Sequence, residues 1–313
     1  MEHNSSSKLK AHIKYEYGFP FLDLSRKGLS RVPDAVTELT EVEELRLDNN
    51  NLTELPTSIN KLKNLVRLHL YSNRLTELPA KIGDLKKLNA LYVSSNQLVS
   101  LPTSVQTLNQ LEVLELDDNK ITELPSQIGD LKKLKKLFVY DNQLVGLPTS
   151  IQKLNQLQNL NLSNNTLTEL PAVIGDLKQL KRLHVSNNQL VSLPTSIQKL
   201  NQLEDLQLSR NKLTELPSEI GDLKELRRLD VSYNQLVSLP TSIQKLNQLE
   251  ELHLYGNKFT ELSSEICDLA EKLRRLNARY NLLPSDAVHV PEMKKKGSVT
   301  SSVVTGGCGD NFQ

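Results

Sequence analysis

Residues 65–85 read LVRLHLYSNRLTELPAKIGDL, and most positions of that stretch recur along the chain at a spacing of 23. Ten of the thirteen prolines keep the spacing, from Pro33, Pro56 and Pro79 through to Pro240. Ten asparagines keep it too, from Asn50 and Asn73 to Asn257. Around each asparagine the text follows LxxLxLxxNxL, as at Leu65, Leu68, Leu70, Asn73 and Leu75. Self-similarity at a fixed period of this size means a stack of like units rather than one globular core.

Each position in the unit has a physical task. Leu68 and Leu70 alternate with His69 and Tyr71, so a short strand turns its leucines toward a core and the other side chains outward. The asparagine leaves the strand at a turn, where its amide can serve backbone groups of its own and adjacent units. Proline lacks an N–H and fixes φ, which suits a return segment that needs no ladder bond. Leu78, Ile82 and Leu85 fill the core from that side. One unit cannot bury its apolar flank alone, whereas stacked units can, with parallel strands ~4.7–4.9 Å apart. Twelve such turns run from Phe21–Leu24 to Leu276–Ala278.

A longer rhythm overlies this one. IGDL begins at Ile82, Ile128, Ile174 and Ile220, while LPTSIQKLNQL fills 147–157, 193–203 and 239–249. Two unlike repeats were duplicated as a pair, and shared ancestry suffices to explain the uniform stretch. The ends depart from the pattern. Lys27 stands where the first asparagine belongs, and Ser263 replaces proline in the last unit, where one residue is inserted and Cys267 takes the glycine position. The expected organisation is an N-terminal flank over 1–18, a repeat array over 19–284 closed by a helical, cap-like unit at 262–284, and a disordered tail over 285–313.

The pattern LxxLxLxxNxLxxLPxxIgxL resembles the Ras-group leucine-rich repeat proteins, on stretches such as Leu65–Leu85 and Leu203–Leu223 and over roughly residues 19–284. The resemblance implies an α/β solenoid, a right-handed horseshoe of about twelve repeats with a parallel, concave β-sheet. It also implies an intracellular signalling scaffold or adaptor that presents its concave face to a small GTPase of the Ras type or a phosphatase subunit. The chain has fewer repeats than the long Ras scaffold and no plant-type C-terminal signature. Two other readings stay open: immune or pathogen recognition, and a substrate-recognition module of a larger GTPase or ubiquitin ligase.

Composition limits the alternatives. Lys and Arg number 38 against 37 Asp and Glu, so no long-range field draws the chain to nucleic acid or to an anionic membrane. No stretch approaches the ~20 apolar residues of a membrane span. The first residues carry no apolar run of signal-peptide length. Cys267 and Cys308 are too few for a disulfide framework, and a reducing, cytoplasmic setting is expected. His69, His184 and His253 lie three or more repeats apart, too far to share a metal, and no phosphate loop, HExxH or GxSxG motif occurs. The chain is therefore expected to be a monomer without catalytic residues, cofactor or metal.

What remains is the outward strand face. Between the strand leucines stand Arg46, His69, Tyr92, Glu115, Phe138, His184, Asp230 and His253, and just beyond the strand Tyr71, Tyr140 and Tyr255, with Tyr233 at the rim. These twelve residues are the candidate protein-binding face. Aromatic residues make up only 4% of the chain, yet five of its eight tyrosines map here, where stability alone has little use for them. Rings at such positions are favoured interface anchors, and stacking along adjacent strands is the competing account. Expected neighbours are His69 with Tyr71 and Tyr92, Phe138 with Tyr140, and His253 with Tyr255. At the strand starts, signs alternate (Lys181-Arg182, Glu204-Asp205, Arg227-Arg228, Glu250-Glu251, Arg274-Arg275), which lets charges pair laterally.

Overall fold

The structure, a computed structural model, describes residues 9–10, 12–16 and 18–283. The expected tail at 285–313 lies outside the described residues. Two compact units divide the chain, Met1–Asn161 and Leu162–Gln313.

The first unit carries β1 (Lys14–Glu16), β2 (Phe19–Asp23), β3 (Glu44–Arg46), β4 (Arg67–His69), β5 (Ala90–Tyr92), β6 (Val113–Glu115), β7 (Lys136–Phe138) and β8 (Asn159–Asn161). The second carries β9 (Arg182–His184), β10 (Asp205–Gln207), β11 (Arg228–Asp230), β12 (Glu251–His253) and β13 (Arg275–Asn277). Within each unit every repeat strand pairs in parallel with the next at the repeat spacing, as in Leu45 opposite Leu68 and Leu206 opposite Leu229. Strands β2–β13 are the twelve counted from the repeats. The flank adds β1, which pairs antiparallel with β2, Tyr15 opposite Pro20.

The strand leucines are fully buried, and so are their partners on the return side: Leu68, Leu70, Leu75, Ile82 and Leu85 all have 0% exposure. That return side is not α-helical. Each proline from Pro33 to Pro240 leads into a five-residue 3-10 turn, such as Thr57–Lys61 after Pro56. The proline stays extended, and its carbonyl accepts the first turn bond, from Ile59 N–H at 3.0 Å. Five residues between a proline and the next buried leucine leave room for i→i+3 bonds and no more. The last repeat differs. Without proline and with one extra residue, it forms helix α1 (Ser264–Ala270), in which Cys267 N–H reaches the Ser263 carbonyl at 3.1 Å.

The asparagines knit the turns. Asn73 donates to the carbonyls of Leu70 in its own repeat (2.9 Å) and Leu47 in the preceding one (3.0 Å), and accepts from Leu52 N–H (3.0 Å). The series has one further member, Asn281, hidden in the sequence by the inserted residue; it accepts from Phe259 N–H and donates to the Leu254 carbonyl. The residue before each ladder asparagine has positive φ, for instance Asn49, Ser72 and Asp118. Short polar residues tolerate that conformation and bulky ones pay strain for it. Arg210, Tyr233 and Tyr280 nevertheless occupy it.

Candidate functional site

Because β3–β7 lie side by side in register, the first unit sets Arg46, His69, Tyr92, Glu115 and Phe138 in one row across its open face. Two residues on, and so on the same face, stand Tyr71, Ser94, Asp117 and Tyr140. At one end of the row the groups are paired. Glu44 receives Arg46 Nε at 2.7 Å and Arg67 Nη1 at 3.0 Å. Burial by itself raises the Glu44 carboxyl, but hydrogen bonds from Arg46 and Arg67 outweigh it and hold the group below the usual glutamate value. The Arg46 guanidinium also lies over the Phe21 ring, 4.8 Å from its centroid. His69 stacks on Tyr92, with centroids 4.6 Å apart and planes 20° off parallel. Its Nε2 is 3.2 Å from Glu44 Oε1 but outside hydrogen-bond geometry. Burial outweighs that nearby charge and lowers the imidazole below its usual value, which keeps His69 neutral at pH 7.

The middle of the row is different. Asp117 accepts the Ser94 hydroxyl at 2.8 Å and the Tyr140 hydroxyl, and burial together with this bond pushes Tyr140 up to about 12. Glu115 stands between Tyr92 and Phe138 with no hydrogen-bond or ion-pair partner for its carboxylate among the described residues. Burial first, and the Asp117 charge second, raise it above the usual glutamate value. Burial and the Glu115 charge raise the Tyr92 phenol in turn.

A carboxyl raised in the folded state holds its proton more tightly there than in the unfolded chain, so ionising it subtracts stability. The subtraction is absent below the ordinary value of 4.5 and complete once pH passes the raised folded value. Glu115→Gln is therefore expected to raise the thermal midpoint at pH 7 by on the order of 1–2 °C. The gap to wild type should close as pH falls below 4.5. Melting curves at stepped pH check this; equal midpoints at neutral pH contradict it.

In the second unit Asp230, Tyr233 and Tyr255 line one concavity, while His184 stands apart from it. His184 on β9 turns to Asp205, Nε2 to Oδ2 3.2 Å, and Asp230 lies two strands further on. His253 Nε2 lies 3.5 Å from Glu251. Tyr255 meets Tyr233 (centroids 4.9 Å) and Tyr280 (4.7 Å). Gly256 is the reason: a Cβ there would sit 2.9 Å from the Tyr233 ring, so glycine lets that ring fold over the turn onto Tyr255. Arg210 covers Tyr233 from the preceding repeat at 4.5 Å. Hydrogen bonding with Tyr233, then burial, pushes the Tyr255 hydroxyl up to about 12, and Tyr280 also bonds to it. Tyr280 was not among the candidates. It precedes Asn281 as Tyr233 precedes Asn234, a correspondence that the inserted residue shifts out of the 23-residue count.

In the first unit, His69 meets Tyr92 as expected, and two tyrosine hydroxyls have carboxylate partners. Tyr71 hydrogen-bonds to Asp48, and Tyr140 to Asp117. Lateral charge pairing does occur at the strand starts: Lys181–Glu204 at 3.4 Å, Arg227–Glu250 at 3.0 Å, Arg228–Glu251 at 3.2 Å and Arg274–Glu250 at 2.9 Å. Of the four lysines between 132 and 136, three are bonded, Lys132 to the Gly129 carbonyl, Lys133 to Gln110 and Lys135 to Glu112. Among the described residues no helix is long and apolar enough to cross a membrane, and no group of three His, Cys, Asp or Glu could hold a metal ion.

Residues 40–98, 90–144 and 109–167 match the family described as leucine rich repeat, and residues 140–234 and 196–282 match the leucine-rich repeat region. With the strand, turn and asparagine geometry above, these matches place the chain among the leucine-rich repeat proteins. A leucine-rich repeat protein of Leptospira interrogans is 29% identical, over 91% of this chain and 95% of its own, with a TM-score of 0.55. The plant peptide hormone receptor RGFR1, solved with RGF2, is 28% identical over 81% of this chain and 50% of its own, with a TM-score of 0.63. Toll of Drosophila, solved with Spatzle, shares the fold at 22% identity and a TM-score of 0.76, over 90% of this chain and 43% of its own. The chain thus spans nearly all of the bacterial protein but half or less of RGFR1 and of Toll. No curated protein matches the sequence.

Proposed function

We propose that the chain is a non-enzymatic docking protein whose open strand face, from Arg46 to Tyr140 in the first unit, receives a partner protein. One observation carries this reading: a chain with 4% aromatic residues and no tryptophan groups His69, Tyr71, Tyr92, Phe138 and Tyr140 on a face that the core does not need. The solved likeness between this chain and a plant peptide hormone receptor in complex with RGF2 supports a polypeptide ligand. By its resemblance to the Ras-group repeats, the partner is a Ras-like GTPase or a phosphatase subunit, met by a monomeric scaffold in cytoplasmic signal transduction. The receptor likeness favours a second reading, recognition of a peptide signal, on the same face.

The test separates surface from fold. The double variant Tyr92→Ala, Phe138→Ala is expected to unfold within about 2 °C of wild type, since half-exposed rings contribute little to the core. It should lose the principal partner that wild type captures from its native lysate. Capture at wild-type level by the folded variant rejects this face.

A further inference from the structure

We infer that the docking face of the first unit is built to seat a basic side chain of the partner polypeptide, an arginine or lysine, over Glu115 and Asp117 and between the rings of Tyr92 and Phe138. This rests on the docking reading above and adds the chemistry of its central contact.

The placement follows from register. Tyr92, Glu115 and Phe138 are direct neighbours on β5, β6 and β7, so one carboxylate stands between two rings at strand spacing. Asp117 projects on the same side of the chain two residues later, where Ser94 and Tyr140 donate their hydroxyls to it. Each ring offers the negative face of its π system to a cation. A guanidinium can also bond to carboxylate oxygens in its own plane. The two kinds of group are complementary to the same occupant.

Charge complementarity decides which occupant. Of the other buried carboxylates of this face, Glu44 is neutralised within the chain by Arg46 and Arg67, while Asp48 accepts Asn49 Nδ2 at 2.9 Å and the Tyr71 hydroxyl. Glu115 and Asp117 take part in no ion pair among the described residues, although the whole chain is balanced at 38 basic against 37 acidic side chains. Lys136, at the start of β7, is exposed and only moderates the field. A partner presenting an apolar side chain would bury the Glu115 carboxylate without a partner, beside an Asp117 that only hydroxyls satisfy, and an acidic one would add repulsion, so both are disfavoured. A cation removes the repulsion that already exists. The tyrosine group of the second unit lacks this vacancy. Arg210 already covers Tyr233, and the Tyr255 hydroxyl bonds to Tyr233 and to Tyr280.

A random-peptide phage library selected on the full chain tests the assignment without knowledge of the natural partner. Selected peptides should share an Arg or Lys at a fixed position. Synthetic copies should bind about tenfold more weakly to the double variant Glu115→Gln, Asp117→Asn, the effect of losing one close charge pair. Replacing the peptide's basic residue by norleucine should weaken wild-type binding to the same extent and leave binding to that variant unchanged. Added salt should narrow the gap between wild type and variant. Melting curves confirm that the variants are folded. Peptides that need Tyr92 and Phe138 but lack a basic residue, or that ignore the two neutralisations, overturn this inference and leave the docking face standing. A library with no peptide sensitive to any strand-face variant overturns both.

Discussion

Asn119→Leu is expected to lower the stability of the first unit by about 2–5 kcal/mol, although leucine has the same branched skeleton as asparagine and the site is buried among leucines. The Asn119 Oδ1 accepts Leu98 N–H at 2.9 Å, and that amide has no other acceptor. Its Nδ2 donates to the carbonyls of Leu116 (2.9 Å), Val93 (3.1 Å) and Asp117 (3.2 Å). Leucine removes all of these and adds only apolar contact at a place that is 8% exposed. The orphaned amide alone costs about 1–3 kcal/mol, and each lost carbonyl bond about 0.5–1.5. The carbonyls fare better than the amide, because Val93 still accepts Asn96 and Leu116 still accepts Asn142. Stability in a stacked array is local to neighbouring repeats. Amide exchange should therefore quicken over 93–121 while amides around Leu45 stay protected. Urea unfolding combined with exchange mass spectrometry measures both. A loss below about 1 kcal/mol would mean that water replaces the amide at no cost, contrary to its burial.

The ladder was legible in the sequence for the same reason that this substitution is severe. Each of Leu68, Leu70, Asn73 and Pro79 has one physical task that few residue types perform, valine taking the Leu70 place at Val93, Val139, Val185 and Val231, so the period survives in the text. The 23-residue count failed only where chain length changed. The residue inserted near α1 hid Asn281, and with it the Tyr280 that joins Tyr255. The open face was legible as a set of positions but not as a set of contacts. Outward side chains are not fixed by packing, and their partners depend on details finer than register. Tyr255 meets Tyr233 because Gly256 leaves space for the ring. Tyr140 bonds to Asp117, because a hydroxyl on a half-buried tyrosine needs an acceptor. Charge balance in the composition likewise concealed that Glu44 is paired while Glu115 is not.

The 46-residue rhythm, which shared ancestry sufficed to explain in the sequence, also has a physical cause, and Gly175→Ala should expose it. Gly175 is buried in the 3-10 turn Ala172–Asp176 and packs against the next turn, Thr195–Lys199. A Cβ at this position would lie inside contact distance of the Ser196 carbonyl oxygen and 2.9 Å from the Ser196 Cβ. The Ser196 backbone cannot simply yield, since its hydroxyl holds the Ala172 carbonyl at 2.6 Å. Gly129 against Ser150 and Gly221 against Ser242 repeat the contact. One repeat of each pair must therefore be glycine, and its successor must present a small residue, which is why LPTS follows IGDL so regularly. In the other phase of the rhythm the same place in the turn is Gln198, which is exposed, and in the last repeat it is Cys267, also exposed. Backbone-directed overpacking costs about 1–3 kcal/mol and occasionally more. The expected loss for Gly175→Ala is at the upper end of that range, whereas Gln198→Ala should stay within about 0.5 kcal/mol, as surface substitutions do. Urea midpoints of the two variants decide the matter. Equal values would leave ancestry as the whole account of the rhythm, while a large gap confined to the glycine makes close approach of successive turns the constraint that has kept the paired repeats unlike.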